Sequence, residues 1–197
     1  MGDGTLPHIH PFENTIEIPE TYLIRDQELN SLANWTFPNL LANYNDREYM
    51  SNRAILCPKN DEVDYVNSKI LAVLPAEEKI YYSADSVGSD DNPANFPVEF
   101  LNSQTCNGMP PHSLRLKVGV PIILLRNLDK SNGLCNGTRL LVTEMRDNFI
   151  KAQIMNGNEA NIGNIVAVPR ILFTSDEKVY PFQLRRKQYP IRLAFAQ

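Results

Sequence analysis

Two short apolar runs separated by a polar segment dominate the pattern between Leu114 and Glu144. The runs are residues 118–125 and 140–142, and the polar segment is residues 127–138. Short apolar runs bounded by turn-forming residues are typical of buried strands. The dipeptide Asn136-Gly137 favours the positive φ angles of a tight turn. The pattern therefore predicts two buried strands joined by a loop.

The strand pattern continues towards the C-terminus. Turn signals such as Arg146-Asp147-Asn148 and Asn156-Gly157-Asn158 separate most of the apolar segments. Many short strands with regular turns are typical of a small antiparallel barrel. We predict that its strands are PIILL, TRLLVTEM, FIKAQI, NIVAVP, RILFT, KVYPFQL and IRLAFA, with a last turn at residues 184–188.

The first half of the chain contains one strand–loop–helix unit. Residues 54–57 form a short apolar run, and residues 60–74 carry apolar side chains at helical spacing, with Asn60 as the predicted N-cap. Ligands of open α/β sheets bind beyond the carboxyl ends of the strands. Residues 57–60, in which Lys59 is the only cation, are therefore a weak candidate site.

Less regular segments surround this unit. Residues 79–82 are predicted as a strand, residues 83–97 as an exposed acidic loop, and residues 98–104 as a short helix opened by Pro97. Towards the N-terminus, a turn-rich arm precedes a weakly periodic helix at residues 26–33.

Composition narrows the class of protein. A hydrophobic content of 43% and a charged content of 21% are typical of globular chains. No apolar run is long enough to span a membrane, and no signal peptide is evident. Cys57, Cys106 and Cys135 form no C-x-x-C pair, which favours a reducing compartment over a disulfide framework or zinc site. His8 and His10 lack accompanying ligands, so no metal site is predicted.

The net charge of −4 hides an asymmetry between the two halves of the chain. Residues 112–197 carry 13 Lys and Arg against 6 Asp and Glu, whereas residues 1–111 have a balance of −11. A basic half within an acidic chain indicates a polyanionic partner for that half. The alternative, an ordinary set of strands with solvated charges, remains open.

Several longer motifs occur in a fixed order. They are RAILCPKNDEVDYVNSKIL, YYSADS, FPVEFLNS, GMPPHSLRLKVGVPIILLRNLDKSNGLCNGTRLLVTEM, VPRI and PFQLRRKQYPIRLAFA. With these motifs, from about Gly2 to Ala196, the chain resembles the C-terminal region of the eukaryotic Pif-one-like (petite-integration-frequency) DNA helicases of superfamily 1. The resemblance is to the branch that Helitron transposons carry.

The resemblance implies an α+β fold in three parts. Residues 1–111 are expected to be a partial second RecA-like α/β motor domain with an N-terminal arm. Residues 112–188 are expected to form an SH3-like antiparallel β-barrel inserted in that domain, and residues 189–197 to begin the returning RecA-like strand.

The resemblance also implies site residues. It places Lys59 and Asn60 on the face toward ATP and assigns single-stranded DNA binding to the barrel. The matching DNA-binding positions are His112, Lys117, Arg126, Asn136, Gly137, Thr138, Arg139, Arg185, Arg186 and Lys187. Two adjacent arginines suit contact with a phosphate backbone better than base reading.

The family uses ATP and Mg²⁺ to unwind DNA in repair, recombination, telomere maintenance or Helitron transposition, in the nucleus. This sequence has no G-x-x-x-x-G-K-[ST] loop and no evident Walker-B strand. The family's first motor domain is expected before Met1 and would be a partner of this part. Because hydrolysis needs phosphate cradle, Mg²⁺ ligands and a charge-stabilising cation together, we expect the chain alone to hold no cofactor or metal and to hydrolyse no ATP.

The expected remaining activity is binding of single-stranded DNA, without a membrane partner. Two alternatives remain. The chain could be a helicase-derived protein-interaction domain that acts through its acidic half, or a decayed transposon sequence without activity.

Overall fold

The computed structural model describes residues 18–24, 26, 28–175 and 181–197. Within these residues the helices are α1 (Leu29–Thr36), α2 (Leu40–Asn43), α3 (Arg47–Ser51), α4 (Asn60–Val73) and α5 (Val98–Ser103). The strands are β1 (Glu78–Tyr82), β2 (Ala84–Val87), β3 (Ser113–Lys117), β4 (Pro121–Leu124), β5 (Arg139–Met145), β6 (Phe149–Ile154), β7 (Ile165–Pro169), β8 (Ile171–Thr174), β9 (Leu184–Gln188) and β10 (Ile191–Leu193).

The chain divides into two compact units, Met1–Pro38 and Asn39–Gln197. In the described part of the first unit, α1 begins at Leu29, three residues later than predicted. His8 and His10 lie outside the described residues. None of the described helices is long and apolar enough to cross a membrane.

The larger sheet of the second unit has the strand order β10-β4-β5-β6-β7, with antiparallel pairing throughout. Pro121 of β4 lies opposite Leu141 of β5, and residues 125–138 connect the two strands. Ile122 and Leu140 are fully buried in this pair. The predicted pair of buried strands joined by a loop is thus confirmed.

The smaller sheet has the order β2-β9-β8, again antiparallel. Two predictions were wrong here: residues 84–87 of the predicted acidic loop form β2, and the predicted turn at residues 184–188 is strand β9. Buried and more exposed side chains alternate along β9, as the period of two in a strand requires. The pattern was missed because polar side chains, those of Arg186 and Gln188, occupy inward positions.

The predicted strand at residues 178–184 is also corrected, since residues 181–183 are not in a strand and residues 178–180 lie outside the described part. β1 and β3 form a separate two-stranded ribbon. The fold is therefore mixed α and β with antiparallel sheets, as predicted. The strands that the structure describes do not close into a barrel.

The predicted helix after the loop at residues 57–60 is confirmed as α4, whose buried face includes Val63, Val66 and Ile70. The predicted cap was wrong by one residue, because Lys59 occupies the N-cap position and no side chain caps the helix. The side-chain oxygen of Asn60 instead accepts a hydrogen bond from Arg192.

The predicted strand at residues 54–57 is reduced to one parallel bridge, between Ile55 and Ala196. The Ile55 amide donates to the Phe195 carbonyl, and the Gln197 amide donates to the Ile55 carbonyl, both at 2.9 Å. Asn67 of α4 fixes the same segment: its buried amide group donates to two carbonyls and its oxygen accepts the Ala196 amide at 2.9 Å.

Candidate nucleic-acid interface

The loop between β4 and β5 is held in shape by Asp129. Its Oδ1 accepts from the amide and hydroxyl of Ser131 at 3.1 and 2.6 Å and from the amide of Asn132 at 3.3 Å. Its Oδ2 accepts from the Asn132 side-chain amide at 2.6 Å. These hydrogen bonds, that of Ser131 above all, lower the pKa of the Asp129 carboxyl. The loop is therefore ordered by its own side chains.

The exposed part of this loop carries three of the predicted DNA-binding residues. Asn136 and Gly137 are exposed, and Gly137 has a φ of +89°, in the left-handed region that glycine adopts without strain. Arg126, at the other end of the loop, is exposed with its guanidinium carbon 5.4 Å from the centre of the Phe173 ring. Asn136 and Arg126 present side-chain donors to solvent, whereas the Gly137 amide donates to the Leu124 carbonyl at 2.9 Å.

Three other predicted residues of this region are turned inward. Thr138 Oγ1 donates to the Gly133 carbonyl at 2.9 Å, and Lys117 Nζ donates to the Leu74 carbonyl at 2.7 Å. Arg139 is 7% exposed. The structure thus gives these side chains partners within the chain itself.

Arg139 links separate parts of the second unit. Its guanidinium donates to the carbonyls of Met50, Ser51, Arg53 and Ala194 at 2.9–3.3 Å. Burial lowers the pKa of this guanidinium, because removal from water disfavours the charged form. Strand β5 is thereby fastened to the end of α3 and to the residues that follow β10.

Among the cations of the described residues, Arg186 is the most deeply buried, with 1% of its surface exposed. It forms a bidentate ion pair with Asp85, whose side chain is fully buried; the shortest distance, Nη2 to Oδ2, is 2.7 Å. The same guanidinium also donates to the carbonyls of Pro110 and Leu101 at 3.2 Å. The buried charges of the Arg186 guanidinium and the Asp85 carboxylate are therefore paired and hydrogen-bonded.

The neighbours of Arg186 in β9 lie on the opposite side of the sheet. We call this side the outer face and define it by its outward-facing residues. Ala84 pairs with Lys187, which pairs with Leu172, and Ser86 pairs with Arg185, which pairs with Thr174. Five of these side chains are exposed and Arg185 is half-buried. The outer face therefore presents two cations and two hydroxyls, and none of its six residues is acidic.

Lys59 and Asn60 lie at the start of α4, where Asn60 lines a cavity of about 390 Å³. Lys59 is exposed, whereas Asn60 is hydrogen-bonded to Arg192, which also pairs with Asp64 at 2.7 Å. Arg115, another residue of the cavity wall, is paired with Glu78 at 2.9 Å. Among the described residues, no group of three or more His, Cys, Asp or Glu could hold a metal ion.

Residue patterns alone missed several structural polar residues. Asp85 was placed in an exposed loop, and Gln188 was placed in a turn although its amide donates to the carbonyls of Tyr81 and His112 at 2.8 and 3.1 Å. The sequence did contain a signal for β2 and β9, namely the alternation of side chains between the two sides of a strand. To recognise it, one has to assign the hydroxyl-bearing, small and charged residues to the outward side.

Comparison with known proteins connects this geometry to a family. Residues 99–145 match the family model described as "DNA helicase Pif1, 2B domain". The ATP-dependent DNA helicases PIF1 of Xenopus laevis and Danio rerio are each 28% identical to the chain over 146 residues, which is 72% of this chain and 20% of either relative. The chain thus spans about a fifth of the length of these curated relatives.

Solved structures show the same relationship at the level of the fold. Unliganded Pif1 from Bacteroides sp has a TM-score of 0.51 at 23% identity, covering 75% of this chain and 42% of that one. Pif1 from Candida albicans has a TM-score of 0.52 at 21% identity, covering 82% and 43%. Bacteroides Pif1 bound to ssDNA has a TM-score of 0.50 at 21% identity, covering 82% and 38%. The family model and the curated relatives thus support the resemblance of this chain to part of a Pif1-like helicase, and the solved structures share its fold.

Proposed function

We propose that the Asn39–Gln197 unit contributes a sequence-independent contact with single-stranded DNA to an ATP-driven DNA helicase. The observation that carries the proposal is the outer face of the smaller sheet, where Arg185 and Lys187 stand among small, hydroxyl and apolar residues. In the part of the chain that the structure describes, neither cation is paired with a carboxylate. The Arg185 guanidinium donates to the side-chain oxygen of Gln183 at 3.3 Å. Exposed cations that no carboxylate neutralises suit contact with a phosphate backbone.

The contact surface that we propose is smaller than the predicted set of residues. Arg126, Asn136, Gly137, Arg185 and Lys187 are accessible enough to meet a phosphate. Lys117, Thr138, Arg139 and Arg186 would have to leave buried hydrogen bonds first. We therefore assign these four residues to shaping the surface.

The finer architecture remains part of the proposal. The parallel bridge between Ile55 and Ala196, with α4 beside it, supports a partial RecA-like domain in residues 1–111 and 189–197. The antiparallel strands between them support an SH3-like insert at residues 112–188. ATP and Mg²⁺ would be bound by the whole enzyme, with a first motor domain as the partner of this part.

The biological setting is likewise proposed from the family. Relatives are DNA helicases, and one solved neighbour carries ssDNA. As the family resemblance implies, we extend the proposal to a parent enzyme that acts in the nucleus, in DNA repair, recombination, telomere maintenance or Helitron transposition. Lys59 and Asn60 remain the proposed positions toward the nucleotide, with Asn60 engaged by Arg192.

The test is fluorescence anisotropy of a labelled single-stranded oligonucleotide, titrated with the full chain at several salt concentrations. Because about 0.7 counterions are released per phosphate contact on single strands, the double substitution Arg185→Ala/Lys187→Ala should reduce the slope of log K against log salt by about 1.4. Affinity at low salt should fall at least about tenfold. The matched control is Lys59→Ala/Lys69→Ala, which removes two exposed cations from the region of α4.

Equal losses of DNA affinity in the two double variants would show that binding depends only on the net charge of the chain. That result would contradict a localised binding surface. No binding by a folded chain, even at low salt, would overturn the proposal. In that case a helicase-derived protein-interaction domain would become the better account.

A further inference from the structure

The outer face continues beyond β2 along the chain. The alternate residues Ile80, Tyr82, Ala84 and Ser86 are all exposed, whereas Tyr81 and Val87 on the other side are buried. The amide of Ser83, between β1 and β2, donates to the His112 carbonyl at 2.9 Å and continues the pairing of β1 with β3. β1 and β2 thus present one extended row of side chains to solvent.

Tyr82 is the aromatic residue of this row, with 59% of its surface exposed. Its ring centre lies 5.4 Å from that of His112, with the ring planes inclined by 39°. The Tyr82 carbonyl accepts a hydrogen bond from Arg170 at 2.7 Å, and its backbone pairs with Ser113. The phenol ring is therefore supported by a fixed strand and by a second ring.

His112 is itself held in place. Its Nδ1 lies 2.8 Å from Ser83 Oγ, and that hydroxyl lies 2.6 Å from Asp85 Oδ1. Asp85 is in turn fixed by Arg186. The network that orders the inner side of β2 and β9 consequently also positions the histidine beside Tyr82.

Tyr82 is two residues from Ala84, the cross-strand partner of Lys187, and four residues from Ser86, the partner of Arg185. At about 3.3 Å per residue, successive positions of the row are spaced by about 7 Å. An exposed aromatic ring therefore lies at the end of a short cationic track. Stacking rings beside backbone-binding cations are the combination that single-stranded nucleic acid requires.

We propose that Tyr82 stacks on a base of a single DNA strand whose phosphates lie along Lys187 and Arg185. The proposal rests on the single-stranded DNA contact above and adds a base-contacting residue to it. Any base offers a ring face to Tyr82, so the contact is independent of sequence. A duplex hides those faces within its stack, so the contact selects single strands.

The experiment compares two labelled strands of equal length and charge, an ordinary oligonucleotide and one whose central nucleotides are abasic. Their affinities for the full chain are measured by anisotropy at one low salt concentration. We expect the ordinary strand to bind at least about fivefold more tightly, as one stacked base provides. Tyr82→Ala should weaken binding of the ordinary strand by a similar factor and leave binding of the abasic strand unchanged.

Two further variants sharpen the test. Tyr82→Phe keeps the aromatic ring and should retain the preference for the ordinary strand over the abasic strand. A variant that had lost its structure would not retain that preference. Tyr65→Ala removes a tyrosine of similar exposure, 57%, from α4 and should change neither affinity.

The possible outcomes separate the two proposals. Equal affinity of the native chain for both strands, or an unchanged preference in Tyr82→Ala, would overturn the stacking contact while leaving the phosphate surface standing. Failure of the folded native chain to bind either strand would overturn both.

Discussion

The two sides of the smaller sheet use the same kind of residue for opposite purposes. On the inner side, Arg186 is paired with Asp85 next to the apolar cluster that contains Val87 and Leu184. On the outer face, Arg185 and Lys187 reach solvent. One step along a strand reverses the side of the sheet. The three consecutive cations of β9 therefore do not form one basic patch. The number of cations in a sequence segment does not show how many of them can reach a ligand.

The largest expected effect comes from breaking the inner side. Arg186→Ala leaves the Asp85 carboxylate buried without its partner, which should lower the free energy of unfolding by about 3–5 kcal/mol. Urea denaturation followed by circular dichroism would measure the change. Arg185→Ala, one residue away on the outer face, should change it by no more than about 0.5 kcal/mol.

A double variant separates charge from packing. If the lone carboxylate is the cause, Asp85→Ala/Arg186→Ala should be less destabilised than the sum of the two single substitutions. Similar stability of Arg186→Ala and Arg185→Ala would instead contradict the division of the sheet into two sides.

A second inner cation extends the comparison to the larger sheet. Arg139→Met should lower the free energy of unfolding by about 2–3 kcal/mol, because four carbonyls lose charged donors and some then lie buried without a partner. Native-state hydrogen exchange should show faster exchange in α3, which the guanidinium fastens to β5. The matched control is Arg126→Met, which changes an exposed arginine at the start of the loop between β4 and β5.

Arg139→Lys tests whether geometry or charge matters. An ammonium group is a point charge with three donors and does not reproduce the fork of a guanidinium. We expect only partial recovery of stability. Full recovery would show that the positive charge alone suffices, and equal exchange in α3 for the native and Met variants would contradict the fastening role.

The sequence predicted the elements whose side chains separate cleanly by polarity. Helix α4 and the pair β4 and β5 were found because their inward positions are mostly apolar, with Asn67 and Arg139 as exceptions. The fold class was predicted from these elements. The family resemblance was recognised from the ordered motifs rather than from periodicity. β2 and β9 were missed because Asp85, Arg186 and Gln188 fill inward positions.

The candidate site was harder to predict from the sequence, because its buried arginines also occupy inward positions. Burial of Arg139 and Arg186 depends on carbonyls and a carboxylate that are 55 to 101 residues away in the chain. No local pattern contains that information. The loop geometry around the Asp129 side chain is local, in contrast, because the residues that donate to its carboxylate lie within three positions.

The smallest expected effect concerns this Asp129 and tests how far an exposed carboxylate can order a loop. Its hydrogen bonds lower the pKa of the carboxyl in the folded chain below its usual value of 3.8. A depressed folded-state pKa contributes stability that is present above the unfolded-state pKa and is lost as the pH falls through the folded-state value. The loop should therefore be unchanged between pH 7 and about 5 and should loosen only below about pH 4.

An NMR pH titration of the amides of Ser131 and Asn132 would report this directly, since both donate to Asp129. A midpoint at or above the usual value for aspartate would refute the ordering role. Asp129→Asn should abolish the titration, and it should also weaken the loop at neutral pH, because the amide nitrogen cannot accept the hydrogen bond from the Asn132 side chain that the second oxygen accepts. Since Asp129 acts in water and Asp85 acts in the core, the same type of carboxylate should have a small, acid-sensitive effect at the surface and a large effect inside. The difference in size follows from solvation, because water screens the exposed group and is excluded from the buried one.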